Sequence, residues 1–319
     1  MPSVRAILIP LDGSELAECA LTAGAVAARR LNACVHLVRV HTQLPLMAAE
    51  VVALSPYTER EVGEEEGKYL ESVAARLRMK GLAVSTAVVN GPIVPALKTY
   101  IARHGIGLVV MSSHGLGGIR RAIIGSVTDL LVRTVSIPIL IVNPAMEVRI
   151  GEDWPRHVLL PLDGSARGAS AVDALQVIDP ESTAHLSLAT VFQPSYPPVG
   201  PWSFQMAPFL DAANQWQDRL RDQLEETAGK LRTDGYKVSA HVLTGGKIAR
   251  QILKLGATRR CDLIVVATHG DGGMDRVMFG SVADQVIRHS SLPVLVIRPL
   301  TKTQLTPTRP GETLAEAGA

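Results

Sequence analysis

The chain alternates short, unbroken apolar runs with longer segments of helical spacing. Ile7-Leu8-Ile9, Leu108-Val109-Val110-Met111 and Leu263-Ile264-Val265-Val266 are apolar without alternation, as in strands buried on both faces. Between such runs, residues 15–31 are rich in Ala and Leu and residues 59–79 are rich in Glu, both at helical period. In the first half the pattern predicts strands at 5–10, 36–41, 82–89, 107–111 and 137–142. It predicts helices at 15–31, 59–79, 93–103 and 126–135. Pro92 and Pro95 fall where the third helix begins, the one place in a helix that needs no N–H from them. Strands and helices alternating at these lengths imply parallel pairing in a doubly wound, Rossmann-like α/β sheet.

The second half repeats this order. Ile7 to Ser14 returns as Val158 to Ser165, and Asp12 to Asp163 is a step of 151. Ser113-His114-Gly115 returns as Thr268-His269-Gly270, Gly125-Ser126-Val127 as Gly280-Ser281-Val282, and Ile137-Pro138 as Leu292-Pro293, each at a step of 155. The second copy therefore holds four extra residues between its second strand and its middle. A unit of this length is a duplicated domain and not a solenoid repeat. We expect one domain at residues 1–145, a linker within 143–156, a second domain at 156–299 and a disordered tail at 300–319. The last strands, Ile137 to Val142 and Pro293 to Ile297, are apolar edge segments. They are expected to pair with each other inside the chain, and a homodimer is a further expectation.

Composition narrows the function. Of 319 residues, 47% are hydrophobic and only 4% aromatic, so Ala, Val, Leu and Ile fill the cores and no aromatic platform for stacking bases is expected. Lys plus Arg total 32 against 30 Asp plus Glu, a balance that draws the chain neither to nucleic acid nor to an anionic membrane. Cys19, Cys34 and Cys261 form no framework and no CxxC pair. With no apolar segment of spanning length and no leader pattern, a cytoplasmic location is expected.

Ligands of open α/β sheets bind outside the carboxyl ends of the strands, and the distinctive residues of both copies fall there. Gly115, nine residues, then Gly125-Ser126 opens a helix in the first copy; Gly270, nine residues, then Gly280-Ser281 does so in the second. Glycines let backbone N–H groups approach an anion, and the helix adds free N–H groups and the positive end of its dipole. Ser126-Val127-Thr128-Asp129 and Ser281-Val282-Ala283-Asp284 also read as S-x-x-D capping boxes, which need no ligand. Asp12 and Asp163 follow the first strands, where each serves either a base amino group or an Asx turn. Gly91 and Gly246, after the third strands, make room for a ribose or form a turn.

A strand ending in Pro-x-Asp-x-Ser, a glycine after strand three, and Gly-x9-Gly-Ser before a final helix and apolar strand together resemble the universal stress protein family over residues 4–144 and 156–299. The resemblance implies two tandem α/β domains, each with a five-stranded parallel sheet, and membership of the branch that binds ATP through Gly-x2-Gly-x9-Gly-Ser/Thr. Ser112 and Ala267 stand at the first glycine of that pattern. Gly115, Gly125 and Ser126, with Gly270, Gly280 and Ser281, match the rest. By position Asp12 and Asp163 match the adenine-contacting aspartate, and Val40 and Val191 a residue whose backbone meets adenine. Arg120 and Arg121 face the triphosphate region in the first copy. The second carries Asp271 and Asp275 beside Arg276, which favours phosphate only with Mg²⁺ between. The first domain is therefore the expected nucleotide site.

Rival chemistries lack their residues. Pro10 and Pro161 occupy the position of a haloacid-dehalogenase nucleophile, and Asn90-Gly91 stands where a receiver domain would carry its phosphorylated aspartate. Neither G-x-G-x-x-G after a strand nor G-x-x-x-x-G-K-[ST] occurs. His114 and His269 have no evident orienting partner, so at most weak ATPase activity is expected, with no catalytic residue assigned. The remaining alternative is an interaction protein of the same fold that no longer binds nucleotide.

Overall fold

The computed structural model describes residues 4–42, 59–113, 124–144, 150–164, 171, 175, 179, 181–194, 206–267 and 280–298. The first repeat runs β1 (Ala6–Pro10), α1 (Glu15–Glu18), α2 (Ala20–Leu31), β2 (Cys34–His41), α3 (Glu59–Arg78), β3 (Val84–Asn90), α4 (Ile93–His104), β4 (Leu108–Ser112), α5 (Ser126–Thr134) and β5 (Ile139–Val142). The second runs β6 (His157–Pro161), β7 (His185–Phe192), α6 (Met206–Thr233), β8 (Lys237–Thr244), α7 (Ile248–Thr258), β9 (Leu263–Ala267), α8 (Ser281–His289) and β10 (Val294–Ile297). The segment expected as one helix over 15–31 breaks at Cys19, after the short α1 that Ser14 caps by accepting from Ala17 N–H.

The strands form one sheet in the order β3-β2-β1-β4-β5-β10-β9-β6-β7-β8. Each half is parallel throughout, and each has the doubly wound order expected of its repeat. Two apolar cores lie on the two faces. One is built under α2, α3 and α6, the other under α4, α5, α7 and α8. The Ala-rich face of α2 explains its close seat: Ala20, Ala23, Gly24 and Ala27 are buried, and a Cβ on Gly24 would collide with Ile9.

The halves meet at a single antiparallel ladder, with Val294 opposite Ile141, Leu295 opposite Leu140 and Val296 opposite Ile139. Leu140 and Leu295 are fully buried. This is the pairing expected of the two apolar edges. Because the ladder is antiparallel, the carboxyl ends of the two half-sheets point to opposite edges of the molecule. Polar contacts flank it. The Arg288 guanidinium lies 3.8 Å from Asp129, Arg298 donates to the Arg133 carbonyl at 2.9 Å, and Asn143 donates to the Ser290 carbonyl at 3.2 Å. On the other face Arg30 of α2 reaches the fully buried Asp179 at 2.5 Å and the Trp154 carbonyl at 3.3 Å. Trp154 is itself buried, so the end of the expected linker is packed.

The register locates the four additional residues. His41 pairs with Asn90 and Phe192 with Thr244, so the step grows from 151 to 154 between these strands. The last extra residue lies in the following turn, where Gly245 and Gly246 replace Gly91 alone before the caps Pro92 and Lys247. The aromatic residues Tyr196, Trp202 and Phe204 of the longer segment lie outside the described residues.

At the amino edge of the second half-sheet, His157 and His185 stack with centroids 4.6 Å apart. Their Nε2 atoms lie 2.9 Å from the Ser187 hydroxyl and 2.7 Å from that of Ser239. The Nε2 of His241 is buried without a hydrogen-bond partner among the described residues. Burial, then the neighbouring His185, lowers the pKa of His157; burial, then Arg259 and His185, lowers that of His241.

Two outcomes follow from this packing. Leu140→Ala should lower the unfolding free energy by about 2–5 kcal/mol, and its effect should couple to that of Leu295→Ala by about 0.5–3 kcal/mol, read from a double-mutant cycle in urea. The unfolded chain protonates these histidines near the usual 6.5 while the folded chain resists. Their contribution to stability is therefore present above that pH and is lost as pH falls below it toward the lowered folded values. The thermal midpoint should drop across that window, and His241→Ala should flatten the drop.

Candidate functional site

The structure gathers most of the expected second-domain residues around one cavity. Asp163 follows β6, Val191 is the penultimate residue of β7, Ala267 ends β9, and Gly280-Ser281 opens α8; all line a cavity of about 360 Å³ at the carboxyl edge. Thr190, Phe192, Leu220 of α6, and Ile248 and Ile252 of α7 complete its apolar walls. Gly246 is not among the lining residues; its carbonyl accepts from Gln193 at 2.7 Å, and it has φ +72°. Gly270 lies outside the described residues, as do Gly115, His114, His269, Arg120, Arg121, Asp271, Asp275 and Arg276.

The helix starts differ from a capping box. Gly280, not Ser281, is the N-cap of α8, and Gly125, not Ser126, is that of α5. Asp284 and Asp129 turn away from the caps to pair with Arg288 and Arg133 one turn on. Ser281 and Ser126 are the first helical residues, both exposed. The first intrahelical bonds are Asp284 N–H to Gly280 C=O at 3.0 Å and Asp129 N–H to Gly125 C=O at 2.9 Å. The N–H groups of the three residues before each have no acceptor within the helix. Gly280 and Gly125 have φ −57° and −58°, so the backbone itself would accept any residue there. Ser112 and Ala267, at the first glycine of the pattern, are ordinary strand residues without positive φ. The buried Ser112 accepts from the Thr128 hydroxyl through its carbonyl at 3.0 Å.

The turn after the first strand has positive φ at its glycine in both repeats, Gly13 and Gly164. Asp12 forms the Asx turn that was one of its two readings: its Oδ1 accepts from the Ser14 N–H at 2.9 Å and the Ser14 hydroxyl at 2.6 Å. Gly13 holds φ +87° in that turn. Gly91 has φ +126° and donates its N–H to the His41 carbonyl at 3.1 Å. Val40 packs into the core under α4 and α5. Its neighbours Arg39 and His41 point to the opposite face, where Arg39 Nε and His41 Nδ1 lie 2.9 and 3.0 Å from the two oxygens of Glu66 on α3. Arg39 also stands over the Tyr69 ring, 5.8 Å from its centroid. The Tyr69 hydroxyl donates to Glu18 at 3.0 Å, and burial followed by Glu18 holds that phenol well above its usual pKa. Sequence spacing did not reveal this network, because its partners lie 25 and 27 residues apart and meet only through helix register. The three cysteines are free, and burial pushes the Cys261 thiol up to about 12, which leaves it inert.

Two copies of this fold, each with its helix-opening Gly-Ser at the carboxyl edge, agree with comparison to known proteins. The model of the universal stress protein family matches residues 3–143 and again 155–298. The chain belongs to the universal stress protein family. A universal stress protein of Mycolicibacterium smegmatis is 25% identical over 313 residues, covering 92% of this chain and 97% of that one. One from Mycobacterium tuberculosis is 26% identical over 306 residues, covering 92% and 96%. Among solved structures, a universal stress protein from Archaeoglobus fulgidus superposes with a TM-score of 0.66 at 19% identity, covering 94% of this chain and all (100%) of that one, a likeness of fold. In this universal stress protein, Asp12 has a turn to hold whatever else it does. Asp12→Ala should therefore cost about 1–2 kcal/mol of stability, read as a lower urea midpoint with an unchanged m-value.

Proposed function

We propose that this protein is a nucleotide-binding member of the stress-response family, that its ligand is an adenine nucleotide of the ATP type, and that the cavity of the second domain holds it. The observation that carries this reading is the convergence of Asp163, Val191, Gly280 and Ser281 on one cavity between apolar walls. At about 360 Å³ it falls within the range of roughly 300–1,000 Å³ usual for small-molecule sites. Phe192, Leu220, Ile248 and Ile252 suit the faces of a base. Asp163 suits its amino edge, and the N–H groups opening α8 suit the phosphates. Any Mg²⁺ would come with the phosphates of the nucleotide, beside Asp271 and Asp275 of the sequence.

The site binds more readily than it reacts. Asp163 is the one ionisable side chain among the described lining residues. We therefore read the nucleotide as a ligand that biases conformation or assembly. Calorimetry should show ATP binding that Gly280→Val weakens at least tenfold by placing a side chain where the phosphates approach. Turnover should stay below about 1 s⁻¹, the low end of enzyme rates. Unchanged affinity in that variant would refute the placement, and sustained faster turnover would refute the role.

A further inference from the structure

The two sites of this chain differ at three positions that face one another. Pro10 pairs with Val38 and Pro161 with Ala189, so Arg39 corresponds to Thr190 and His41 to Phe192. Arg78 bonds Glu71 and the Val84 carbonyl; Arg232 bonds Glu225 and the Val238 carbonyl in the same way. Counting twelve residues back from each arginine makes Glu66 the counterpart of Leu220. Thr190, Phe192 and Leu220 all line the second-domain cavity. Their first-domain counterparts are Arg39, His41 and Glu66, which bond one another.

We propose that these three residues close the first repeat to nucleotide, so that the chain binds one nucleotide, in its second domain. This rests on the nucleotide reading above and adds to it the selection between the two copies. In the second domain Thr190 is short, its hydroxyl donates to the Leu162 carbonyl at 3.0 Å, and the nearest side-chain atom over the turn is the uncharged Gln223 Oε1, 3.5 Å from where a Cβ on Gly164 would lie. In the first, Arg39 fills the space over the turn. Its Nη1 lies so close over Gly13 that a Cβ there would meet it at 2.5 Å. The guanidinium is not a loose gate, because its Nε is bonded to Glu66, whose side chain is only 10% exposed. Moving Arg39 aside removes the guanidinium that neutralises a buried carboxylate, a change that is strongly unfavourable. A base that entered would also meet a carboxylate and an imidazole in place of leucine and phenylalanine.

The test is the number of ATP molecules bound per chain, measured by calorimetry and by native mass spectrometry on the full-length protein. We expect one, lost in Gly280→Val and retained in Gly125→Val. Two per chain, or one that is lost only in Gly125→Val, would overturn the proposal while leaving the nucleotide reading intact. No binding by the wild type would overturn both. The combined variant Arg39→Thr, His41→Phe, Glu66→Leu gives the first repeat the wall of the second and should raise the number to two, with the new site at least about 100-fold tighter than any first-domain binding in the wild type. If that variant unfolds cooperatively and still binds one, the closure does not reside in these residues. If it does not fold, the wild-type number and the two glycine variants decide alone.

Discussion

The arrangement of this protein depends on one short antiparallel ladder, β5 against β10. Each half-sheet ends in an apolar strand of four residues, and an unpaired strand of that kind would expose both its apolar side chains and a row of backbone donors and acceptors. Pairing satisfies both at once. Because the partners lie on one chain, the contact forms at high effective concentration. The ladder also fixes where chemistry can happen. Strands within each half run in one direction and the halves oppose each other, so the two carboxyl edges lie on opposite sides of the sheet. The strand ends of one half therefore do not meet those of the other.

That separation allows the copies to diverge without loss of fold. The residues that differ, Arg39 against Thr190, His41 against Phe192 and Glu66 against Leu220, lie at the sheet edge and beside the strand ends. They are not in the layers where Leu140, Leu159 and Val286 pack. In the Arg39–Glu66–His41 cluster both oxygens of the buried Glu66 are bonded, which offsets the desolvation that burial imposes on a carboxylate. The same three positions, filled by Thr190, Phe192 and Leu220, line a cavity. One backbone plan thus carries a bonded polar cluster in one repeat and a cavity lined by the same three positions in the other.

Much of this was legible in the sequence. Unbroken runs such as Leu263 to Val266 announced strands buried on both faces, and the recurring Pro-Leu-Asp-Gly-Ser and Gly-Ser-Val segments announced the duplication. The pairing of Ile137 to Val142 with Pro293 to Ile297 followed from their apolar edges. What escaped was set by helix register. Leu220 and Glu66 sit on long helices whose rotation over the sheet no local pattern specifies. The sequence expectation placed the nucleotide in the first domain because of Arg120 and Arg121, which lie outside the described residues. Among the described residues, the cavity that gathers the motif residues lies in the second domain. The capping-box reading of Ser126 and Ser281 failed by one residue: the glycine before each already makes the first helical bond, which moves the serine into the helix.

The placement of the ligand is the central claim, and covalent labelling tests it most directly. Photolysis of the protein with an azido-adenine analogue of ATP, followed by peptide mapping, should mark segments from the second-domain cavity, around Val191–Phe192 or Ile248–Ile252, and unlabelled ATP should protect them. Protected labelling centred on Val38–His41 and the start of α4 would place the nucleotide in the first domain and contradict the account.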